Sequence, residues 1–226
     1  MHKDVIPRGL QDASHDRDLN QLGAQFIHKY GGHLGAGHKM LDIGAFADTK
    51  IMDIEGNSKY WFDMDYKILN MEGDKHDSII LADITNCPEI PSESFDYIYT
   101  QDTFEHIAKP WLAGQEIVRL LKPGGLVYCI TLFSWRYHKA PEDYFRYTPF
   151  GLCSIFDGLE HLEANWDVKN RRGPNGMGLQ GDGTANDIVP VDMLGAWREN
   201  WRVYYLGQKP FDVEFHKNTG VYRKPR

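Results

Sequence analysis

The stretch HKMLDIGAF, His38 to Phe46, decides how this chain is read. An apolar run that ends in an acid and then a glycine is how a site for a nucleotide-type cofactor begins. Asp42 leaves the strand as a side chain able to orient the following loop, and Gly44 lets backbone approach a ligand where a Cβ would collide. Four stretches follow in order: KYWFDMDY (59–66), IILADITN (79–86), FDYIYTQDTFEHI (95–107) and EIVRLLKPGGLVYCITL (116–132). Their spacing predicts successive parallel strands that deliver acids and polar groups to one edge of a sheet.

Working outward, strands are expected near Met40–Ile43, Tyr60–Met64, Ser78–Ala82, Phe95–Thr100 and Leu126–Leu132, alternating with helical patterns as in a βαβ sheet buried on both faces. Trp111 to Leu121 reads as a helix with Leu112, Ile117, Val118 and Leu121 toward the sheet, stopped by Lys122-Pro123-Gly124-Gly125. Leu19, Leu22, Phe26 and Ile27 recur at helical spacing, so an amphipathic helix from Asp18 to Tyr30 leads the chain, broken by GGHLGAGH. Past Leu132 the span Phe133–Phe156 is dense in aromatic and charged residues, the composition of a loop arching over a pocket. A strand is expected around Leu162–Val168, then the Gly-rich connection RRGPNGMGLQGDGTAND, a helix near Val191–Leu206 and a short strand near Phe211–Phe215. The Gly-rich stretch lacks G-x-x-x-x-G-K-[ST] and is read as flexible connection.

With 226 residues, 42% of them hydrophobic, the chain can bury a core of its own. It is read as one domain over 1–226: a lead-in over 1–38, a cofactor-binding core over 39–132 and a substrate-side segment over 133–226. The odd count of three cysteines, with no C-x-x-C spacing, argues against a disulfide framework and a thiolate zinc site. A cytoplasmic chain is expected: no run approaches the ~18 apolar residues of a membrane span, and MHKDVIPRGL has no apolar core like a signal peptide's. A net charge of -7 and a pI near 5.8 repel a phosphate backbone, so nucleic acid is not expected as a partner, and without an apolar span neither is a membrane. The ten histidines are scattered, and no metal is predicted.

The order LDIG, an acid after the second strand, LADIT, SFDYIYTQDTFEHI and LLKPGG resembles the class I S-adenosylmethionine-dependent methyltransferases, in particular the small bacterial group described as type 11. The resemblance covers roughly Met40 to Phe156, and the segment HKAPEDYFRYTPFGL is similar to one that some members carry after the fifth strand. It implies an α/β, Rossmann-like doubly wound sheet of seven strands, mostly parallel with an antiparallel last strand, and helices on both faces. It also implies S-adenosyl-L-methionine as cofactor. By that likeness Asp42 and Gly44, with the backbone of Ala45 and Phe46, would face the methionine part, and Gln101 would lie near it. An acid ending the second strand, Asp63 or Asp65, would take the ribose hydroxyls. Asp83 would accept from the adenine amino group, with Ile84 against the ring. The chain departs from the pattern where Phe46, Asp48 and Lys50 stand in place of further glycines.

Methyl transfer asks mainly for positioning, because a sulfonium is already a good leaving group. A hydroxyl acceptor would add the need for a base, and His138 and His106 are the candidates, His138 with Asp143 near enough to orient it. Trp135, Tyr137, Tyr144, Arg146 and Tyr147 would contact a small polar acceptor such as a sugar or natural product by stacking and hydrogen bonding. Plainer roles stand beside these. Asp42 could cap the turn, one of Asp63 and Asp65 could be a solvated cap, Glu105 and His106 could be a helix-start pair, and the aromatics could be core. Two other classes stay open: a nicotinamide-dependent oxidoreductase, which would need the G-x-G-x-x-G turn that DIGAFADT lacks, and a non-catalytic methyltransferase-like binding or scaffold protein.

Overall fold

In the computed structural model, which describes residues 29–45, 63–73, 75–135, 137, 142–167, 201–211, 214–216 and 221–223, the opening stretch forms β1 (Lys39–Ile43). It is flanked on both sides by parallel strands. β2 (Asp65–Asn70) pairs with it from Lys39 opposite Asp65 to Ile43 opposite Leu69. β4 (Phe95–Gln101) pairs on the other side, from Met40 opposite Tyr97 to Ile43 opposite Thr100. β3 (Ile79–Leu81) extends the sheet beyond β2, and β5 (Leu121–Ser134) extends it beyond β4. β7 (Trp201–Gln208) then runs antiparallel between β5 and β6 (Glu160–Asp167), giving the order β3-β2-β1-β4-β5-β7-β6. A separate antiparallel pair joins β8 (Glu214–His216) and β9 (Val221–Arg223).

Side chains alternate across this sheet, so each central strand must be apolar on both faces. Leu41, Ile43, Leu69, Ile98, Val127, Cys129, Val203 and Tyr205 bury one face. Against it lie α1 (Pro110–Leu120), through Ala113, Ile117, Val118 and Leu120, and α2 (Pro149–Ile155), through Leu152 and Cys153. Both helices start on a proline, which has no N–H to waste and a φ already suited to the first turn. Thr148 caps α2, its Oγ1 accepting the Gly151 N–H at 3.1 Å. Gly114 permits the close contact between them, since a Cβ there would fall 2.3 Å from the Ile155 backbone oxygen. The opposite face carries Met40, Tyr66, Ile68, Tyr97, Tyr99, Tyr128, Tyr204 and Leu206, with Leu34 and Tyr30 against it.

The seven-stranded, mostly parallel architecture and its antiparallel last strand agree with the sequence reading. Among the described residues, α1 and α2 lie on one face of the sheet, and the helical residue Tyr30 packs on the other. The second strand is displaced: it occupies Asp65–Asn70, not Tyr60–Met64. The helix expected over Val191–Leu206 is overturned at its described end, where Trp201 to Leu206 belong to β7. Lys122–Gly125 do stop α1, but within the first residues of β5, where Gly124 takes a φ of 79°. The strand near Phe211–Phe215 falls on β8. Residues 29 and 30 are helical; the rest of the leading helix and the Gly-rich connection lie outside the described residues. No helix among the described residues is long and apolar enough to cross a membrane.

Candidate functional site

Parallel strands point their C-terminal ends to one edge, and ligand sites of such sheets open there. β1 ends in Gly44, which takes a left-handed φ of 79° and donates its N–H to Leu69 O at 3.0 Å. A Cβ at this position would sit 2.3 Å from Thr103 Oγ1, so only glycine lets the loop after β1 lie against the loop after β4. Thr103 Oγ1 is 3.1 Å from Ile43 O and 2.9 Å from Gln101 O. Asn70 at the end of β2 donates from Nδ2 to Ala45 O at 2.6 Å. Three strand ends are thus joined by hydrogen bonds around Gly44.

Asp42 stands one residue inside β1 and turns to the tyrosine-lined face, where Tyr66 donates to its Oδ2 at 2.6 Å. It is buried, and burial pushes its pKa up to about 7, against the lowering effect of the Tyr66 bond. Gln101 ends β4, its Oε1 accepting the Tyr99 hydroxyl. Asp83, exposed just past β3, uses Oδ1 to hold Thr85 N–H and Oγ1–H, both at 2.8 Å. Its neighbour Ile84 is buried in the apolar core beneath α1, which leaves little of it to meet an adenine ring.

The two acids read as ribose ligands lie at the other edge of the sheet. Asp65 opens β2 opposite Lys39, its N–H bonded to His38 O at 2.7 Å, and Asp63 lies before it at a φ of 56°. Both carboxylates therefore stand at the N-terminal edge, a strand length from Gly44. The acid that follows the C-terminal end of β2 is the exposed Glu72, two residues beyond Asn70. Its signal was present in KILNMEG, an apolar run followed by an acid.

The aromatic segment is anchored to a 3-10 turn, Phe104–His106, that follows the loop after β4. Glu105 O accepts the N–H of Tyr144 at 2.8 Å and of Phe145 at 3.3 Å, and Phe104 O accepts the Tyr147 hydroxyl at 2.8 Å. His106 Nδ1 lies 2.5 Å from Glu142 O, so Nδ1 is the protonated nitrogen, and Nε2 lies 3.9 Å from Glu105 Oε1. The Glu105 carboxyl is fully buried, with Oε2 accepting from Thr131 Oγ1 at 2.6 Å.

Two of the residues expected to contact an acceptor are engaged within the chain by this packing. Tyr147 is a core residue, 6% exposed, ringed by Phe104 and Phe145. Arg146 spends its fork internally: Nη1 and Nη2 on Asp143 at 2.5 and 2.7 Å, Nη1 again on Phe145 O at 2.8 Å, and Nε on Trp135 O at 3.1 Å. Asp143 is thereby committed to Arg146. Tyr137 and Tyr144 do present exposed rings. Trp135 lies under the guanidinium of Arg202, 5.0 Å from ring centroid to Cζ, and Arg202 clasps Asp102 through Nε at 2.8 Å and Nη2 at 2.7 Å. Sequence reading missed Asp102, Thr103 and Arg202. His138 and Phe46 lie outside the described residues.

Residues 41–129 match the family model described as a methyltransferase domain, in agreement with the class I, type 11 resemblance. No curated protein matches the chain. Solved structures share its fold. One is a protein from Galdieria sulphuraria provisionally assigned as a sarcosine dimethylglycine methyltransferase, 16% identical over 85% of each chain, TM-score 0.58. Another is phosphoethanolamine N-methyltransferase 2 of Haemonchus contortus with phosphomonomethylethanolamine and S-adenosylhomocysteine: 16% identity, 85% of this chain, 53% of that one, TM-score 0.52. The [4+2]-cyclase SpnF is also similar, at 16% identity, 85% of this chain, 82% of that one and a TM-score of 0.51.

Proposed function

We propose that this chain transfers a methyl group from S-adenosyl-L-methionine to a small polar acceptor such as a sugar or natural-product hydroxyl. The observation that carries the reading is Gly44: a left-handed glycine at the end of β1, pressed against Thr103 at the edge where three parallel strands end. The residues there suit a nucleoside bearing an amino acid. Glu72 supplies a carboxylate for vicinal hydroxyls, Asp83 an acceptor for an exocyclic amine, and the backbone about Gly44 with Gln101 a polar lining for the amino-acid end. When bound, the cofactor supplies an electrophilic methyl on a sulfonium, and the chain's part is to hold acceptor and donor in line and to exclude water. Tyr137 and Tyr144 offer faces for a ring, and His138 is the base for a hydroxyl acceptor.

Calorimetry with S-adenosylhomocysteine tests the binding half. Micromolar affinity is expected, about 8 kcal/mol. Glu72→Ala should weaken it by ~1 to 3 kcal/mol through an unpaired ligand hydroxyl, while Asp65→Ala leaves it unchanged. Equal losses from both changes would mean that the ribose site is misplaced. No heat at millimolar ligand would favour the second reading, a methyltransferase-like binding or scaffold protein, which the Phe46, Asp48 and Lys50 departures support. For the transfer half, His138→Ala should cut turnover roughly 100-fold and spare cofactor affinity.

A further inference from the structure

The loop after β4 contains a strained residue that the methyl-transfer reading leaves without a task. Asp102 follows Gln101 and takes a φ of 49°, a left-handed region that non-glycine residues seldom enter. Such a conformation persists only if its surroundings impose it. Two contacts hold Asp102 here: its N–H donates to Ile130 O of β5 at 2.9 Å, and Arg202, at the start of β7 and 100 residues away in sequence, grips both carboxylate oxygens through Nε and Nη2 at 2.8 and 2.7 Å. The same guanidinium lies over Trp135, just past the end of β5, so a single side chain connects the ends of β4 and β5 with the start of β7. Asp102 and Arg202 are 28% and 19% exposed at their side chains, which leaves the pair partly shielded from water at the open edge of the sheet.

We propose that Arg202 is a positioning residue for the cofactor loop: by holding Asp102 in its left-handed conformation it sets Thr103 against Gly44 and Gln101 toward the site. The chain of contact is short. Asp102 is bonded to Gln101 on one side and Thr103 on the other, Thr103 Oγ1 reaches Ile43 O, and the same hydroxyl occupies the space a Cβ on Gly44 would need. Releasing Asp102 frees the turn to relax toward ordinary φ values, and Thr103 moves off Gly44. The planar fork is needed for this, since a lysine can offer an ammonium but not two parallel bonds and a stacking plane. Trp135 is thereby assigned to the support of Arg202, and acceptor contact falls to Tyr137 and Tyr144.

The proposal rests on the methyl-transfer reading only for the ligand used, and a ligand-free measurement separates the two. Amide hydrogen exchange on the apo chain should be quickened in Arg202→Lys and in Asp102→Gly over 41–45 and 101–104, with exchange in α1 and β6 unchanged. Asp102→Gly is the informative variant, because glycine adopts a φ of 49° freely yet carries no carboxylate. S-adenosylhomocysteine affinity should fall roughly tenfold in both variants, with Trp135→Phe, which keeps a ring face, nearer wild type. Wild-type exchange at 41–45 in Asp102→Gly, or quickened exchange throughout the chain, would overturn the positioning role. Should the wild-type chain bind no S-adenosylhomocysteine, the cofactor reading falls, and the exchange pattern alone decides for or against Arg202.

Discussion

Asp42 shows what a single residue in the signature stretch does to the molecule. It combines two demands: a polar group beside the strand end, and a place on a face lined with tyrosine, methionine, isoleucine and leucine. Burial raises its pKa to about 7, so at intermediate pH the folded chain keeps a proton that the unfolded chain has lost. The sign follows. The stability Asp42 contributes is fully present below the ordinary carboxyl range near pH 4 and is lost as pH rises through about 7. Asp42→Asn keeps an acceptor for Tyr66 and cannot ionise, so its thermal midpoint should be flatter than wild type across that window. Parallel melting curves for the two chains would show that the carboxyl is not held protonated. Asp42, Gly44, Asp83 and Gln101 were legible as residues of the C-terminal edge because each follows or ends an apolar run. Asp102 and Arg202 were not, since nothing local announces a pair separated by 100 residues.

At the scale of elements, β1, β3, β4, β5 and α1 were readable because apolar runs bounded by turn residues match their periods. β2 was not. The aromatic density of KYWF drew the strand a turn too early, and DYKILN begins on an exposed acid that resembles a strand end as much as a start. β7 was misread for a different reason. VYYL is apolar at four consecutive positions, Val203 and Tyr205 burying one face and Tyr204 and Leu206 the other, and such a run fits a buried helix segment and a central strand equally well. The aromatic segment after β5 was read as cover because its partners, the carbonyls of Phe104 and Glu105, come from a turn 40 residues earlier in the chain, and no spacing rule reveals them. The α1–α2 contact gives a sharp test of packing. Gly114→Ala would drive a Cβ to within 2.3 Å of a backbone oxygen that has no room to yield, and should cost ~1 to 3 kcal/mol by denaturant titration. An unchanged midpoint would mean that α2 docks elsewhere.

Across the whole molecule the two edges of the sheet differ in kind. The C-terminal edge gathers the candidate site; the N-terminal edge is tied by Lys209, fully buried just past β7, with Nζ donating to Leu121 O at 2.5 Å and to Glu93 Oε1 at 3.4 Å. Burial lowers the Lys209 pKa to about 8, with Glu93 opposing the shift, so above that pH the folded chain sheds a proton that the unfolded chain retains up to about 10.5. Lys209 therefore contributes stability that rises above about pH 8, while the buried thiols of Cys87, Cys129 and Cys153, pushed up by burial, contribute a fall over the same alkaline range, so the stability of the wild-type chain relative to Lys209→Met should grow with pH in a urea series. A constant difference between the two chains over that range would contradict the burial of Lys209 as an amine. The order β3-β2-β1-β4-β5-β7-β6 has one more consequence, for the birth of the chain. β6 is synthesised before β7, yet β7 is its neighbour in the sheet and stands between it and β5. Until Trp201–Gln208 leaves the ribosome, β5 offers an open edge from Leu126 to Ser134 and β6 has nothing to pair with, an interval in which a nascent chain can join a strand of another chain instead of its own.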